Sequence, residues 1–147
     1  MTNSPKRILI VDDEAPMRFL LSKQLSRAGF DVVTAADGPA ALEAAASSAF
    51  DAIVLDLVMP GMDGFEVCRR LKAEPLTAGI PVAFLSASSS GDFRRRAFRV
   101  GAIEFLAKPF QTEQLPAYLR AILAAGDERA PSGYTGRVAA CLLYTSD

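Results

Sequence analysis

Five short apolar runs alternate with longer segments of helical period, and no other feature constrains the fold as much. The runs are Arg7–Val11 (RILIV), Asp31–Ala35 (DVVTA), Ala52–Leu55 (AIVL), Val82–Leu85 (VAFL) and Ile103–Leu106 (IEFL). They are mostly continuous rather than alternating in polarity, as strands covered on both faces are. Between them, Met17, Leu20, Leu21, Leu25 and Ala28 fall at i, i+3, i+4, i+8 and i+11, one face of a helix. Pro16 suits its first turn and Gly29 its end. Pro39 opens an Ala-rich second helix through Ser48, and Asp63 with Glu66 forms a D-x-x-E capping pattern for a third carrying Phe65, Val67, Cys68 and Leu71. Asp92 can cap a fourth helix reaching Arg99 and ended by Gly101. Thr112 can cap a fifth, with Leu115, Tyr118, Leu119, Ile122 and Leu123 on one face. The expected class is α/β: (βα)5 with a parallel sheet and right-handed crossovers.

Composition narrows the function. The chain has 147 residues, the size of one domain or one domain plus a tail, and is 50% hydrophobic, enough for a sizeable core. Sixteen Lys and Arg against 17 Asp and Glu leave a net charge of −1, without the basic excess of a nucleic-acid-binding domain. There is no His, which excludes a histidine base and His-ligated zinc. Cys68 and Cys141 are too few for a Cys₄ site or a disulfide framework. Apolar runs such as Ala52–Leu55 are too short to span a membrane, and MTNSPKRILIVDDE is not a signal peptide. The expected location is the cytoplasm.

In a parallel α/β sheet, ligands sit beyond the carboxyl ends of the strands. Asp12, Asp13 and Glu14 follow strand 1, Asp56 ends strand 3, Ser86 ends strand 4, and strand 5 runs into Lys108-Pro109. Each has a bland reading alone: Asp12 as a helix cap, Ser86 as a loop hydroxyl, Lys108 as a solvated lysine. Clustered carboxylates are harder to explain that way, because they repel one another. A divalent cation relieves the repulsion, and hard oxygen ligands favour Mg²⁺.

VDDE after strand 1, LDLVMPGMDGFE around Asp56, LSA after strand 4 and AKPF after strand 5 together resemble the response-regulator receiver family. The resemblance covers roughly Lys6 to Ala124. It implies a flavodoxin-like, doubly wound sheet of order 2-1-3-4-5. It also implies that Asp56 is the phosphoacceptor, taking its group from a phosphohistidine on a sensor histidine kinase or histidine phosphotransfer protein. On the same resemblance Asp13, Asp56 and the Val58 backbone carbonyl ligate Mg²⁺, Asp12 acts through a bound water, and Lys108 pairs with Asp56 or its phosphoryl group. Ser86 and Phe105 resemble the switch pair: the Ser86 hydroxyl donates to the phosphoryl group, and the space vacated by strand 4 accepts the Phe105 ring. Phe105 alone also reads as an ordinary core aromatic. The Lys108–Pro109 peptide is cis by the same resemblance. Such a protein is a signalling switch that catalyses its own phosphorylation and dephosphorylation, not a turnover enzyme.

Rival readings lack their residues. A dinucleotide site needs G-x-G-x-x-G after strand 1, where V-D-D-E-A-P-M stands. A haloacid-dehalogenase-like phosphatase wants a second acid two residues past its nucleophile, where Val58 stands. The alternative from another class is a receiver-like interaction module that is never phosphorylated, against which the acids, Ser86 and Lys108 count. Arg94, Arg95, Arg96 and Arg99 make helix 4 basic, either a solvated face or a docking or homodimer surface, since the helix 4–strand 5–helix 5 face often carries output in this family. FEVCRRLK resembles receivers attached to cyclic-dinucleotide and other signalling domains, while Cys68 falls in the apolar phase of helix 3.

Residues 1–125 are therefore expected to form the receiver domain and 126–140 a Gly/Pro/Ser-rich linker. Cys141–Asp147 (CLLYTSD), reverse-translated as TGT CTC TTA TAC ACA TCT GAC, matches the transposon end of sequencing-library adapters. The expectation is adapter read-through, with an output domain lost by truncation; a native tail is the alternative.

Overall fold

The computed structural model describes residues 4–86, 91–107 and 112–127. The strands are β1 (Arg7–Val11), β2 (Asp31–Ala35), β3 (Ala52–Asp56), β4 (Val82–Ser86) and β5 (Glu104–Ala107). The helices are α1 (Ala15–Arg27), α2 (Gly38–Ser47), α3 (Gly64–Ala73), α4 (Gly91–Arg99) and α5 (Leu115–Asp127). All strand pairs are parallel, in the order β2-β1-β3-β4-β5. This is the expected flavodoxin-like arrangement.

The strand period of two divides the core. Ile8, Ile10, Ala52 and Val54 face α1 and α5, meeting Leu21, Leu25, Leu115, Leu119 and Ile122. Leu9, Val11, Ile53 and Leu55 face the other layer, with Ala41 and Ala45 of α2, Val67, Cys68 and Leu71 of α3, and Ala97 of α4. β1, β3 and β4 lie inside the sheet and are buried nearly throughout, while the edge strand β2 is half exposed. Removing a core leucine from such packing costs about 2–5 kcal/mol.

Several local expectations need correction. Leu20 keeps the apolar period of α1 but is 40% exposed, because the buried stripe is the narrower pair Leu21 and Leu25. The second helix opens one residue before Pro39, at Gly38, where the Asp37 side chain accepts from the Ala40 N–H at 2.8 Å. Asp92 is the second residue of α4, ion-paired with Arg95 rather than capping. Thr112 begins a 3₁₀ turn, Thr112–Gln114, ahead of α5. β5 is displaced by one residue from the expected 103–106, because its ladder with β4 starts at Ala83–Glu104. At α3 Asp63 does cap, accepting from the Glu66 N–H at 3.0 Å. The Glu66 carboxylate turns instead to Arg69 and Arg70, which hold its pKa down to about 2. Cys68 packs in the core as expected, its thiol near the Val100 carbonyl, and burial pushes its pKa up to about 11.

Candidate functional site

The carboxyl ends of β1 and β3 bring three acids together. Carboxylate oxygens of Asp12, Asp13 and Asp56 all lie within 4.8 Å of one another. Asp12 and Asp56 are buried and Asp13 is exposed. The backbone holds them in place. Asp12 N–H donates to the Ala35 carbonyl at 3.2 Å, and Leu57 N–H donates to Leu85 at 2.9 Å. The Asp12 carboxylate also accepts from the Glu14 N–H at 2.9 Å, tightening the turn into α1.

Ser86, fully buried, ends β4 one residue beyond the Asp56–Leu85 register pair. Val58 is 61% exposed, beside the rim. Phe105 lies on β5, 1% exposed, in the α3–α4 core layer. The Arg94 guanidinium stands 5.8 Å from its ring centroid. Lys108, Pro109 and the 128–147 segment lie outside the described residues.

Two residues, Gly64 and Arg18, bear on this site without standing at a strand end. Gly64 starts α3 against β3: a β-carbon there would stand 2.6 Å from the Asp56 carbonyl oxygen and 2.9 Å from the Phe84 ring. Its N–H donates to the Leu57 carbonyl at 2.8 Å, closing the loop after Asp56. A glycine next to a cap aspartate was the available signal. Arg18 on α1 reaches back to the Asp12 carbonyl at 2.7 Å. Glu104 is a buried carboxylate on β5, accepting from the Phe105 N–H at 3.0 Å. Burial pushes its pKa up to about 7, against smaller lowering effects from that hydrogen bond and from Arg94.

The donor set suits a hard divalent cation. All three groups offer oxygen, they converge, and two are buried where uncompensated charge is costly. Among the described residues, no helix is long and apolar enough to cross a membrane.

Residues 8–120 match the response regulator receiver domain family. The chain is 39% identical over 127 residues to the alkaline phosphatase synthesis transcriptional regulatory protein PhoP of Bacillus subtilis, covering 86% of this chain and 52% of that protein. It is 46% identical over 117 residues to the response regulator PleD of Caulobacter vibrioides, covering 79% of this chain and 26% of that protein. This chain thus spans about half, or less, of these relatives' lengths. Among solved structures, it is similar to the Vibrio cholerae chemotaxis protein CheY4, with TM-score 0.76 and 35% identity over 79% of this chain and 97% of that one.

Proposed function

The chain belongs to the response regulator receiver family, and from that we propose that it is the phosphoacceptor switch of a two-component phosphorelay, with Asp56 the acceptor. The convergence of the Asp12, Asp13 and Asp56 carboxylates at one rim carries this reading. A lone strand-end acid would serve as a cap; three together suit a site that handles both a cation and a phosphoryl group.

In this reading an Asp56 carboxylate oxygen attacks the phosphorus of a phosphohistidine. The new O–P bond forms as the P–N bond breaks, and the imidazole leaves with the donor protein. Asp13, Asp56 and the Val58 carbonyl would hold Mg²⁺ directly, with Asp12 acting through water. Bound there, Mg²⁺ supplies charge that neutralises the transferring group. Lys108 adds a fixed ammonium. The Ser86 hydroxyl donates to a phosphoryl oxygen and draws the end of β4 toward the site. The Phe105 ring is already enclosed, so rotation into the space behind Ser86 has to draw it from under Arg94. The protein acts once per phosphorylation, as a switch rather than a turnover enzyme, in the cytoplasm.

The donor is a sensor histidine kinase or a histidine phosphotransfer protein. Phe19, 65% exposed, and Leu20 stand on α1, the helix that follows the Asp12–Asp13 pair, and offer an apolar patch for a donor's helix. Output passes through α4, β5 and α5 to a following domain or a separate target. Phosphorylation by acetyl phosphate with Mg²⁺, read by intact mass, tests this function against a receiver-like module that is never phosphorylated.

A further inference from the structure

A groove of about 490 Å³ runs between α2 and the end of α3. Leu42 and Ala46 of α2 line one wall, and Leu71 and Ala73 of α3 the other. Leu76, at its lip, is 86% exposed, more than any other large apolar residue among those described. Its turn is pinned. The buried Thr77 hydroxyl donates to the Leu71 carbonyl at 2.6 Å, and the Ala78 N–H donates to the Glu74 carbonyl at 2.8 Å. Lys72 Nζ donates to the carbonyls of Ala78 and Ile80. A lone exposed leucine is unremarkable. One fixed at the lip of an apolar groove is a knob beside a hole, and a partner spends little entropy ordering it.

The rim carries both signs of charge. Arg69 and Arg70 are ion-paired to Glu66 yet stay more than half exposed. Glu74, exposed and one turn beyond Arg70, makes no ion pair among the described residues.

We infer that this α2–α3 face pairs with the same face of a second copy, about a two-fold axis near the end of α3. An isologous interface needs a patch that is its own complement. This patch holds a knob with a hole, and a cation with an acid. With the two α3 helices antiparallel, Leu76 of each copy enters the groove of the other, and Arg70 of each stands opposite Glu74 of the other. An acidic partner would meet Glu74 and find Arg69 and Arg70 already engaged by Glu66; a basic one would meet the two arginines. A net charge of −1 sets up little repulsion between copies.

The groove lies at the far end of the molecule from Asp56. α3 starts at Gly64 against the end of β3 and runs back along the sheet, so that Lys72 reaches Ile80, just ahead of β4. Pairing there leaves the acid rim and α4 open. It neither needs nor follows a change at Asp56, and it does not rest on the phosphoacceptor reading.

Sedimentation equilibrium of the full chain tests the pairing. One groove and its rim are less than the roughly 800 Å² per partner that a stable complex buries, so the association is weak. The average mass should climb toward twice that of the monomer between about 10 μM and about 1 mM. Leu76→Asp should weaken association at least about tenfold with the melting temperature unchanged, since the side chain is exposed in the single chain. Arg70→Glu and Glu74→Arg should each weaken it several-fold. An equimolar mixture of those two variants should restore it, because opposite charges then face each other at both places across the axis; damage to folding alone would not be rescued by mixing. A monomer at every concentration overturns the two-fold contact, as does wild-type association in Leu76→Asp or a mixture that is not rescued. So does a pair that Arg95→Glu with Arg99→Glu on α4 dissolves, or one that Mg²⁺ with beryllofluoride strengthens several-fold, since either result puts the contact on another face.

Discussion

The β-carbon that Gly64 lacks would lie 2.6 Å from the carbonyl oxygen of Asp56 and 2.8 Å from the Leu57 Cα. The start of α3 therefore presses directly on the backbone that presents the candidate acceptor, and only glycine leaves room. The neighbouring atoms are mostly backbone and cannot swing aside.

Gly64→Ala should accordingly push the end of β3 out of place. Overpacking of this kind costs about 1–3 kcal/mol, and the phosphorylation rate should fall with it. Urea denaturation and the rate of labelling by acetyl phosphate check both effects. Wild-type stability together with a wild-type rate would mean that the contact is slack.

The clustered acids predict a metal-dependent stability. Asp12 and Asp56 are buried beside Asp13, and like charges this close disfavour one another. Mg²⁺ should raise the melting temperature by mass action, contributing about 2.7 kcal/mol at a hundredfold excess over its dissociation constant. Asp13→Ala should melt higher than wild type without Mg²⁺ and lose most of the response to it. Thermal melts across a Mg²⁺ titration measure this.

Glu104 predicts a pH dependence. Its pKa is raised to about 7 in the folded protein from an ordinary 4.5, so folding favours the protonated form. Its contribution is fully present below pH 4.5 and is lost as pH rises through about 7. Between those values the wild type should lose on the order of 1–3 kcal/mol relative to Glu104→Gln. Urea midpoints for both proteins at pH 5 and pH 8 test it; parallel profiles would contradict it.

Much of this was legible in the sequence, and the parts that were not share a cause. Arg7–Val11 and Asp31–Ala35 stand where their apolar runs put them, because strand identity follows from local pattern. The start of β5 depends on its register with β4, which no local pattern contains. Leu20 keeps the helical period yet faces solvent, because packing decides how wide a stripe a helix buries. Asp12, Asp13 and Asp56 were readable because strand ends in this topology share one rim. Gly64 and Arg18 act through neighbours distant in sequence or through backbone atoms. Glu104 looks like any strand residue until its surroundings are assembled.

Val58 predicts a slow switch. It stands two residues past Asp56 and is 61% exposed, an apolar side chain where a water approaching the phosphorus would need orienting. The aspartyl phosphate should last minutes to hours, and Val58→Asn should shorten that several-fold. Decay of the phosphorylated mass after removal of the donor gives the lifetime. A wild-type lifetime of seconds would contradict the assignment.

The central claim is that Asp56 accepts the phosphoryl group. Treating the acetyl-phosphate-labelled protein with borohydride reduces an aspartyl phosphate to homoserine, which peptide mass spectrometry locates. The account predicts homoserine at position 56 alone, dependent on Mg²⁺, and no labelling of Asp56→Asn. Homoserine at Asp12 or Asp13 in the wild type, or full labelling of Asp56→Asn, would contradict it.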